Sequence, residues 1–186
     1  ADIGIDLGTA TLLVYVSVKG LLIKEPSVVA VDASTGEVLK VGEEAFKMIG
    51  RTPDRIRALY PLKDGVISDF DQTEQMLRHF LKKASESTLS KPRVCICVPS
   101  GITGVESRAC VNAAVSAGAR KVYLIEEPVA AALGAGLDLS VPRGRFILDM
   151  GGGTTDIAVL SLNGIVCKKS IKLAGRKLDE AIVRCV

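Results

Sequence analysis

The first part of the chain alternates short apolar runs with turn residues. Apolar runs cover residues 3–5, 12–18, 21–24 and 28–31, with glycine or proline between them. Runs of this length that are rich in Ile, Leu and Val and bounded by Gly and Pro are typical of β-strands. The pattern predicts antiparallel strands first, followed by a turn-rich stretch, residues 33–64, that we interpret as a small inserted subdomain.

The middle of the chain changes to the spacing of helices packed against buried strands. From residue 69 onwards, apolar side chains recur every three or four positions, which predicts an amphipathic helix. Its apolar stripe consists of Met76, Leu77, Phe80 and Leu81. The continuous apolar run at residues 94–98 predicts a central parallel strand that is buried on both faces, with Cys95 and Cys97 in the core.

Local signals then define two more helices and the strand between them. Thr103 and Glu106 have the spacing of a capping box, and Gly118 ends the helical stripe that follows. A strand at residues 122–125 leads into another helix, with Pro128 at its first position. This alternation of strands and helices predicts parallel strands covered by helices, so the fold class is α/β with a mixed sheet.

One short phrase occurs twice in the chain. Residues 6–11 read Asp-Leu-Gly-Thr-Ala-Thr and residues 149–156 read Asp-Met-Gly-Gly-Gly-Thr-Thr-Asp, and each phrase lies between two apolar runs. Glycine lets backbone N–H groups approach a ligand closely, and a carboxylate at a strand end can hold a hydrated metal ion. The repeat predicts two equivalent hairpins that clamp a metal-bound polyphosphate. A single copy would be explained equally well by an Asp that forms a turn.

The order of the elements repeats together with the phrase. After the second copy, a strand at residues 165–173 and a helix at residues 178–185 match only the opening of the first unit. Two copies of one unit predict two lobes with a cleft between them, and we expect this chain to hold the first lobe and the beginning of the second. With half of the cleft outside the chain, we expect poor ligand binding and an exposed apolar surface.

Composition excludes several classes of function. Of the 186 residues, 48% are apolar and 24% charged, which is typical of a globular chain. The net charge is +3, and the basic residues are spread along the sequence without forming a long basic run. Aromatic residues make up only 4%, so we expect no nucleic-acid partner. The five cysteines form no C-x-x-C pair and His79 is the only histidine, which argues against zinc. We expect reduced, buried thiols in a cytosolic protein without a membrane-spanning or secretory segment.

The repeated phrase and residues 126–132 together resemble the phosphate-binding and connecting motifs of the actin, sugar kinase and heat-shock chaperone superfamily. Within it, six stretches are similar to the MreB family of bacterial actins, namely residues 2–9, 25–30, 41–45, 64–70, 98–101 and 134–137. The similarity covers the whole chain but only the N-terminal half of a full-length member. It implies an actin-like, ribonuclease H-like fold, divided into a first lobe (1–32 and 65–143), an inserted subdomain (33–64) and the start of a second lobe (144–186).

The resemblance implies hydrolysis of ATP held with Mg²⁺. Asp6 and Asp149 would hold the metal ion through water, and Glu127 would position the attacking water, with Glu126 as its rival. Without the flanking motifs, a favourable charge at a helix N-terminus would be the simpler explanation of Glu127, but in this context we favour the catalytic role. The phosphates would be held by Gly8, Thr9, Ala10, Thr11, Gly151, Gly152, Gly153 and Thr154. The family usually has Asn where Thr11 stands and Thr where Leu12 stands, so we expect altered nucleotide affinity.

As a bacterial actin, the protein would assemble with itself into filaments at the inner face of the cytoplasmic membrane, where the filaments guide wall synthesis and determine rod shape. Membrane proteins of cell-shape control and wall synthesis would be its partners. For direct contact with the membrane surface, the loop before Pro92 offers only Leu89, which buries too little area to anchor one molecule. A small-molecule kinase and an ATP-switched chaperone of the same superfamily are the alternatives.

Overall fold

The computed structural model describes residues 2–17, 19–85 and 90–186. The strands are β1 (Asp2–Leu7), β2 (Thr11–Val16), β3 (Gly20–Pro26), β4 (Val29–Asp32), β5 (Val38–Val41), β6 (Ile56–Leu59), β7 (Leu62–Lys63), β8 (Val66–Ile67), β9 (Arg93–Val98), β10 (Lys121–Glu126), β11 (Arg145–Met150), β12 (Thr155–Ser161) and β13 (Gly164–Ile171). The helices are α1 (Glu43–Phe46), α2 (Phe70–Ser85), α3 (Gly104–Ser116), α4 (Glu127–Gly134) and α5 (Gly175–Cys185).

The largest sheet has the strand order β10-β9-β1-β2-β3. The first three strands of the chain are antiparallel neighbours, whereas β9 and β10 run parallel to β1. The parallel half arises because helix α3 carries the chain from the end of β9 back to the start of β10. The predicted mixed sheet, with the strand at residues 94–98 in a central parallel position, is confirmed.

Helices α2 and α3 cover one face of this sheet and enclose the main core. The stripe predicted for α2 is confirmed, because Met76, Leu77 and Phe80 are fully buried. The predicted capping box of α3 is also present. The Thr103 hydroxyl accepts a hydrogen bond from the Glu106 N–H at 3.2 Å, and the Glu106 carboxylate accepts one from the Thr103 N–H at 2.7 Å. The capping box therefore sets the first turn of α3 where the sequence predicted it.

A second, three-stranded sheet has the order β5-β4-β6. Its small core packs Val28 and Ala30 against Ala45 of α1. Strand β4 pairs with β5 and β6 and not with the main sheet. The small sheet therefore begins at Val29, a few residues before the subdomain boundary predicted at residue 33.

The second copy of the hairpin forms a third sheet, of order β11-β12-β13. Helix α4 covers one face of it and packs Ala132 against Ala158 and Leu160. Helix α4 follows directly after β10, a strand of the main sheet, but its apolar side chains pack against the third sheet. The helix therefore links the two sheets. On the opposite face Phe146 and Leu148 are exposed, and α5 buries no residue.

The cysteines do not follow the prediction of buried thiols. Only Cys110 is buried, Cys95 and Cys97 are partly exposed, and all five are free. The prediction that residues 94–98 are buried on both faces is therefore wrong, because α2 and α3 cover only the face that carries Val94, Ile96 and Val98. Burial still raises the pKa of the Cys97 thiol to about 12, so that this thiol stays protonated.

Within the ranges that the structure describes, no helix is both long and apolar enough to cross a lipid bilayer. Leu89, the residue considered for membrane contact, lies outside the described residues. Contact of that loop with a membrane surface therefore stays a prediction from the sequence.

Replacing Phe80 with alanine tests the position of the main core. Phe80 is 0% exposed, and removing a buried phenyl ring leaves a cavity that costs about 3–5 kcal/mol. We expect the free energy of unfolding of Phe80→Ala, measured by urea denaturation, to fall by that amount. Val105→Ala is the control, because Val105 is 68% exposed on α3 and its loss should change stability by less than about 0.5 kcal/mol. Equal effects of the two changes would contradict this assignment of the core.

Candidate functional site

The two hairpins predicted from the repeated phrase lie opposite each other around one cavity. The connection between β1 and β2 and the connection between β11 and β12 both open into this space, which has a volume of about 460 Å³. The structure brings together every residue that the sequence predicted for the site. The lining consists of Asp6, Gly8, Thr9, Ala10, Thr11, Glu127, Asp149, Gly151, Gly152, Gly153 and Thr154, joined by Gly65, Cys97, Ala130 and Ala131.

The two loops approach each other so closely that two of their glycines have no room for a side chain. A Cβ atom on Gly152 would lie 2.6 Å from the Cβ of Ala10, and one on Gly153 would overlap the Thr9 hydroxyl. Real Cβ atoms do not approach other atoms at such distances. The glycines therefore allow the two hairpins to meet across the cleft, and this requirement is independent of any ligand.

Both loops are held by hydrogen bonds that their main-chain carbonyl groups accept from residues outside the cavity. The Ser27 hydroxyl donates to the Gly8 carbonyl at 2.6 Å, and the Ser27 N–H donates to the Ala10 carbonyl at 3.0 Å. At the start of α5, the Gly175 N–H donates to the Gly151 carbonyl at 3.1 Å, and the Arg176 N–H donates to the Gly152 carbonyl at 3.0 Å. In a trans peptide the next N–H points the opposite way from the carbonyl.

The loop carbonyls are therefore turned toward Ser27 and α5, and the N–H groups that follow them point away from those partners. These N–H groups belong to Thr9, Thr11, Gly152 and Gly153, all of which line the cavity. A set of main-chain N–H groups converging on one space is a site for an anion. Ser27 carries no local sequence signal for this role, because the role depends on a contact between the residue after β3 and the first loop.

A third turn, between β7 and β8, also reaches the cavity. Its central residues, Asp64 and Gly65, have positive φ angles of 51° and 79°. The Gly65 N–H donates to the Thr9 hydroxyl at 2.8 Å, and a Cβ on Gly65 would lie 2.8 Å from the Thr154 methyl group. The turn thus touches both loops, and an Asp-Gly pair between short apolar stretches was the sequence signal that could have found it.

Three carboxylates, Asp6, Glu127 and Asp149, line the cavity, and the fully buried Asp156 lies near them. Burial raises the pKa of Asp6, and the nearby charge of Asp149 raises it further. Burial, followed by repulsion from Asp156, also raises the pKa of Asp149. The largest change is at Glu127, where burial and the charges of Asp156, Asp6 and Asp149 raise the pKa to about 8. The ionised forms of these carboxyl groups are therefore disfavoured in the cleft. A cation between them would reduce their mutual repulsion.

Glu127 and its rival Glu126 point to different places. Glu127, the first residue of α4, lines the cavity. The Glu126 carboxylate accepts hydrogen bonds from the Lys168 ammonium group at 2.7 and 2.8 Å, in an ion pair between β10 and β13. Of the two acids, Glu127 is therefore the one in reach of a ligand in the cavity.

Thr11 and Leu12, the two departures from the usual family sequence, also differ in position. Thr11 lines the cavity, whereas Leu12 is 0% exposed and belongs to the main core. Of these two residues, we therefore expect Thr11 to affect ligand binding.

The donor groups of the cavity fit a hydrated magnesium ion bound to phosphates. Mg²⁺ keeps several of its waters and is usually held by one or two carboxylates together with substrate phosphates. Asp6 and Asp149 supply one carboxylate from each hairpin, and the loop N–H groups supply donors for phosphate oxygens. Within the described ranges, no group of three or more His, Cys, Asp or Glu side chains is placed to enclose a metal ion.

The raised pKa of Glu127 predicts a pH dependence of stability in the ligand-free protein. The pKa is about 8 in the folded state, compared with 4.5 for an ordinary Glu, so the folded state binds one more proton between these values. The unfolding free energy should therefore fall as the pH rises from 6 to 8.5. We expect this fall to be larger in the wild type than in Glu127→Gln, by on the order of 2 kcal/mol. Urea denaturation at both pH values measures it, with Glu126→Gln as the matched control, and identical slopes for wild type and Glu127→Gln would contradict the assignment.

The chain matches the family described as MreB/Mbl protein over residues 1–186. It is 54% identical over 186 residues to the cell shape-determining protein Mbl of Bacillus subtilis, covering all of this chain and 56% of that protein. It is 50% identical over 191 aligned positions to the cell shape-determining protein MreB of Escherichia coli, covering all of this chain and 55% of that protein. The chain therefore spans about half the length of these relatives.

Solved structures show the same likeness. MreB5 of Spiroplasma citri bound to ADP superimposes with a TM-score of 0.90 at 40% identity, over 97% of this chain and 54% of that one. The double helical filament of MamK gives a TM-score of 0.82 at 25% identity, over 98% of this chain and 57% of that one. The actin-like fold predicted from the sequence is confirmed, and the chain belongs to the MreB/Mbl family of bacterial actins.

Proposed function

We propose that the protein binds ATP with Mg²⁺ in the cleft between its two hairpins, hydrolyses it, and couples the nucleotide state to assembly into filaments. The observation that carries the proposal is the cavity in which both glycine loops, Asp6, Asp149 and Glu127 meet. It is supported by the likeness to MreB5 of Spiroplasma citri, whose structures hold ADP and AMPPNP.

Each group in the cavity has a task in this reaction. The N–H groups of Thr9, Thr11, Gly152 and Gly153 donate to phosphate oxygens, and they lose little freedom on binding because Ser27 and α5 already hold the loops. Asp6 and Asp149 would hold a magnesium ion through its waters, and the ion would neutralise phosphate charge. Glu127, which also lines the cavity, orients the attacking water and accepts its proton.

We extend the proposal to self-association and cell shape. The likeness to the MamK double helical filament supports assembly of this chain with copies of itself, and the relatives in Bacillus subtilis and Escherichia coli are named for determining cell shape. We propose that the filaments lie at the inner face of the cytoplasmic membrane. There they would guide wall synthesis through membrane proteins of that machinery.

Turnover and sedimentation of the full-length protein test this proposal. We expect Mg-ATP to increase the pelleted fraction of the wild type. Asp149→Ala should weaken nucleotide binding at least about 10-fold, because one of two metal-facing carboxylates is lost. Glu127→Ala should keep nucleotide affinity within about 3-fold but lose about 100-fold or more in turnover, since loss of a positioned proton acceptor affects only the reaction.

Glu126→Ala is the matched control for these variants, because Glu126 pairs with Lys168 and does not line the cavity. It should hydrolyse ATP at the wild-type rate. Turnover without pelleting, or turnover that requires an added small acceptor, would favour the chaperone or the kinase over a filament protein.

Gly153→Ala tests the close contact between the two loops. A methyl group there would overlap the Thr9 hydroxyl, and such overpacking costs about 1–3 kcal/mol. We expect the nucleotide affinity, measured by calorimetry, to fall about 10-fold or more as the loops separate. In Gly104→Ala, the added Cβ would have its nearest neighbour at 3.9 Å, at the start of α3, and affinity should not change. Unchanged affinity in Gly153→Ala would show that the loop contact is not needed for binding.

A further inference from the structure

Residues 25–28, Glu-Pro-Ser-Val, carry the chain from the end of β3 to the start of β4, and we call them the connector. The connector runs between the first glycine loop, residues 8–10, and the small sheet of the inserted subdomain. The loop lines the cavity, whereas Glu25 and Ser27 do not. An effect of these two residues on a ligand in the cavity must therefore pass through the loop.

On the side of the loop, Ser27 makes two hydrogen bonds at once. Its hydroxyl donates to the Gly8 carbonyl at 2.6 Å, and its N–H donates to the Ala10 carbonyl at 3.0 Å. Ser27 is 0% exposed, so water has no access to replace either bond, and breaking them would leave buried polar groups unpaired. The place of the Ser27 main chain therefore determines the place of the loop.

On the side of the subdomain, the Glu25 carboxylate binds two elements at once. Its Oε1 atom accepts a hydrogen bond from the Lys83 ammonium group near the end of α2 at 3.1 Å. Its Oε2 atom accepts one from the Glu43 N–H at the start of α1 at 3.2 Å. Glu25 thus joins α1 of the subdomain and α2 of the first lobe to one point of the connector.

Gly42, the residue before α1, packs directly against this carboxylate. Its φ angle is 70°, and a Cβ there would lie 1.8 Å from Oε2 of Glu25. The Gly42 N–H also donates to the Val28 carbonyl at 2.9 Å, and Val28 is fully buried in the small core of the subdomain. The subdomain is therefore attached to the connector on both sides of Ser27, so a displacement of the subdomain displaces Ser27 with it.

We propose that Glu25 is a positioning residue for the first glycine loop: its carboxylate holds the connector where Ser27 can fix the loop, and so couples the orientation of the inserted subdomain to the cavity. The inference rests on the proposed binding of a nucleotide there and adds a route by which the subdomain regulates it. The coupling is reciprocal, because a ligand that favours the fixed loop also favours the attached subdomain, by the same free energy.

Substitutions of Glu25 in the full-length protein test the effect on the cavity. Glu25→Ala removes both acceptor atoms, and its affinity for AMPPNP with Mg²⁺, measured by calorimetry, should fall about 5-fold, the lower end of typical coupling between sites. Glu25→Gln keeps an acceptor for the Glu43 N–H and should stay within about 2-fold of the wild type. Turnover at saturating ATP should stay within about 2-fold in both variants, because the loop binds the phosphates before and during the reaction alike.

A double substitution tests whether the effect passes through Ser27. Ser27→Ala removes the hydrogen bond to the Gly8 carbonyl and should itself weaken AMPPNP binding about 5-fold or more. Adding Glu25→Ala to Ser27→Ala should then reduce the affinity by a smaller factor than Glu25→Ala does in the wild type, because the two residues act along one path. Equal factors in both backgrounds would contradict a path through Ser27.

Hydrogen exchange without nucleotide measures the link independently of binding. In Glu25→Ala the Glu43 amide loses its acceptor, and the Ser27 amide lies on a connector that this carboxylate no longer holds. Both amides should exchange about 5-fold faster than in the wild type. In Glu25→Gln both should exchange at nearly the wild-type rate.

Glu74→Ala is the matched control. Glu74 forms an ion pair with Arg78 within α2, so this variant also removes an acid that binds a basic side chain of that helix, but it leaves the connector unchanged. Its affinity for AMPPNP and the exchange of its Ser27 amide should remain at wild-type values.

Two further results would overturn the proposal. Wild-type exchange of the Ser27 amide in Glu25→Ala would show that the carboxylate does not hold the connector. Faster Ser27 exchange with unchanged affinity for AMPPNP would show that Glu25 attaches the subdomain and does nothing for the loop. A failure of the proposed function looks different, because the wild type itself would then not bind AMPPNP, whereas exchange of the Ser27 amide would still show whether Glu25 holds the connector.

Discussion

The contact between the two glycine loops is the constraint on which the rest of this structure depends. Gly152 and Gly153 lie against Ala10 and Thr9 with no space for a Cβ atom, so each hairpin fixes the position of the other. Antiparallel pairing then sets where the acids lie, because Asp6 and Asp149 each come directly before the last residue of the leading strand. The loop contact thereby brings the glycine loops and the carboxylates of both hairpins to one cavity.

Repulsion between the carboxylates of the cleft costs stability, and favourable contacts elsewhere in the fold offset this cost. Glu127 is held beside three other acids, and its raised pKa records the cost of placing a negative charge there. Apolar clusters of buried side chains lie on both sides of this site and stabilise the fold that holds it. A divalent cation would reduce this repulsion between the carboxylates. The groups that lower the stability of the empty cleft therefore favour the proposed binding.

Several contacts join the lobes in addition to the loops. Helix α4 follows from a strand of the main sheet and packs on the third sheet, and the ion pair of Glu126 with Lys168 joins β10 to β13. The Arg176 guanidinium of α5 lies 4.2 Å from the centre of the Tyr60 ring, just beyond β6. The two glycine loops are therefore connected to both lobes by several contacts, and a closure of the cleft on the proposed nucleotide binding would act on all of them.

Local features of the chain predict the elements, the two hairpins and the eleven residues that line the cavity, because turns, caps and apolar periods depend on near neighbours in sequence. Motif position favoured Glu127 over Glu126, and the fold separates the two, since Glu126 pairs with Lys168 on β13 while Glu127 lines the cavity. No local pattern indicates that Asp156 is buried and bonded to the Ser100 N–H, because a distant turn supplies that environment. The partly exposed Cys97 has a similar cause, because a continuous apolar run cannot show that one face of its strand borders a cavity.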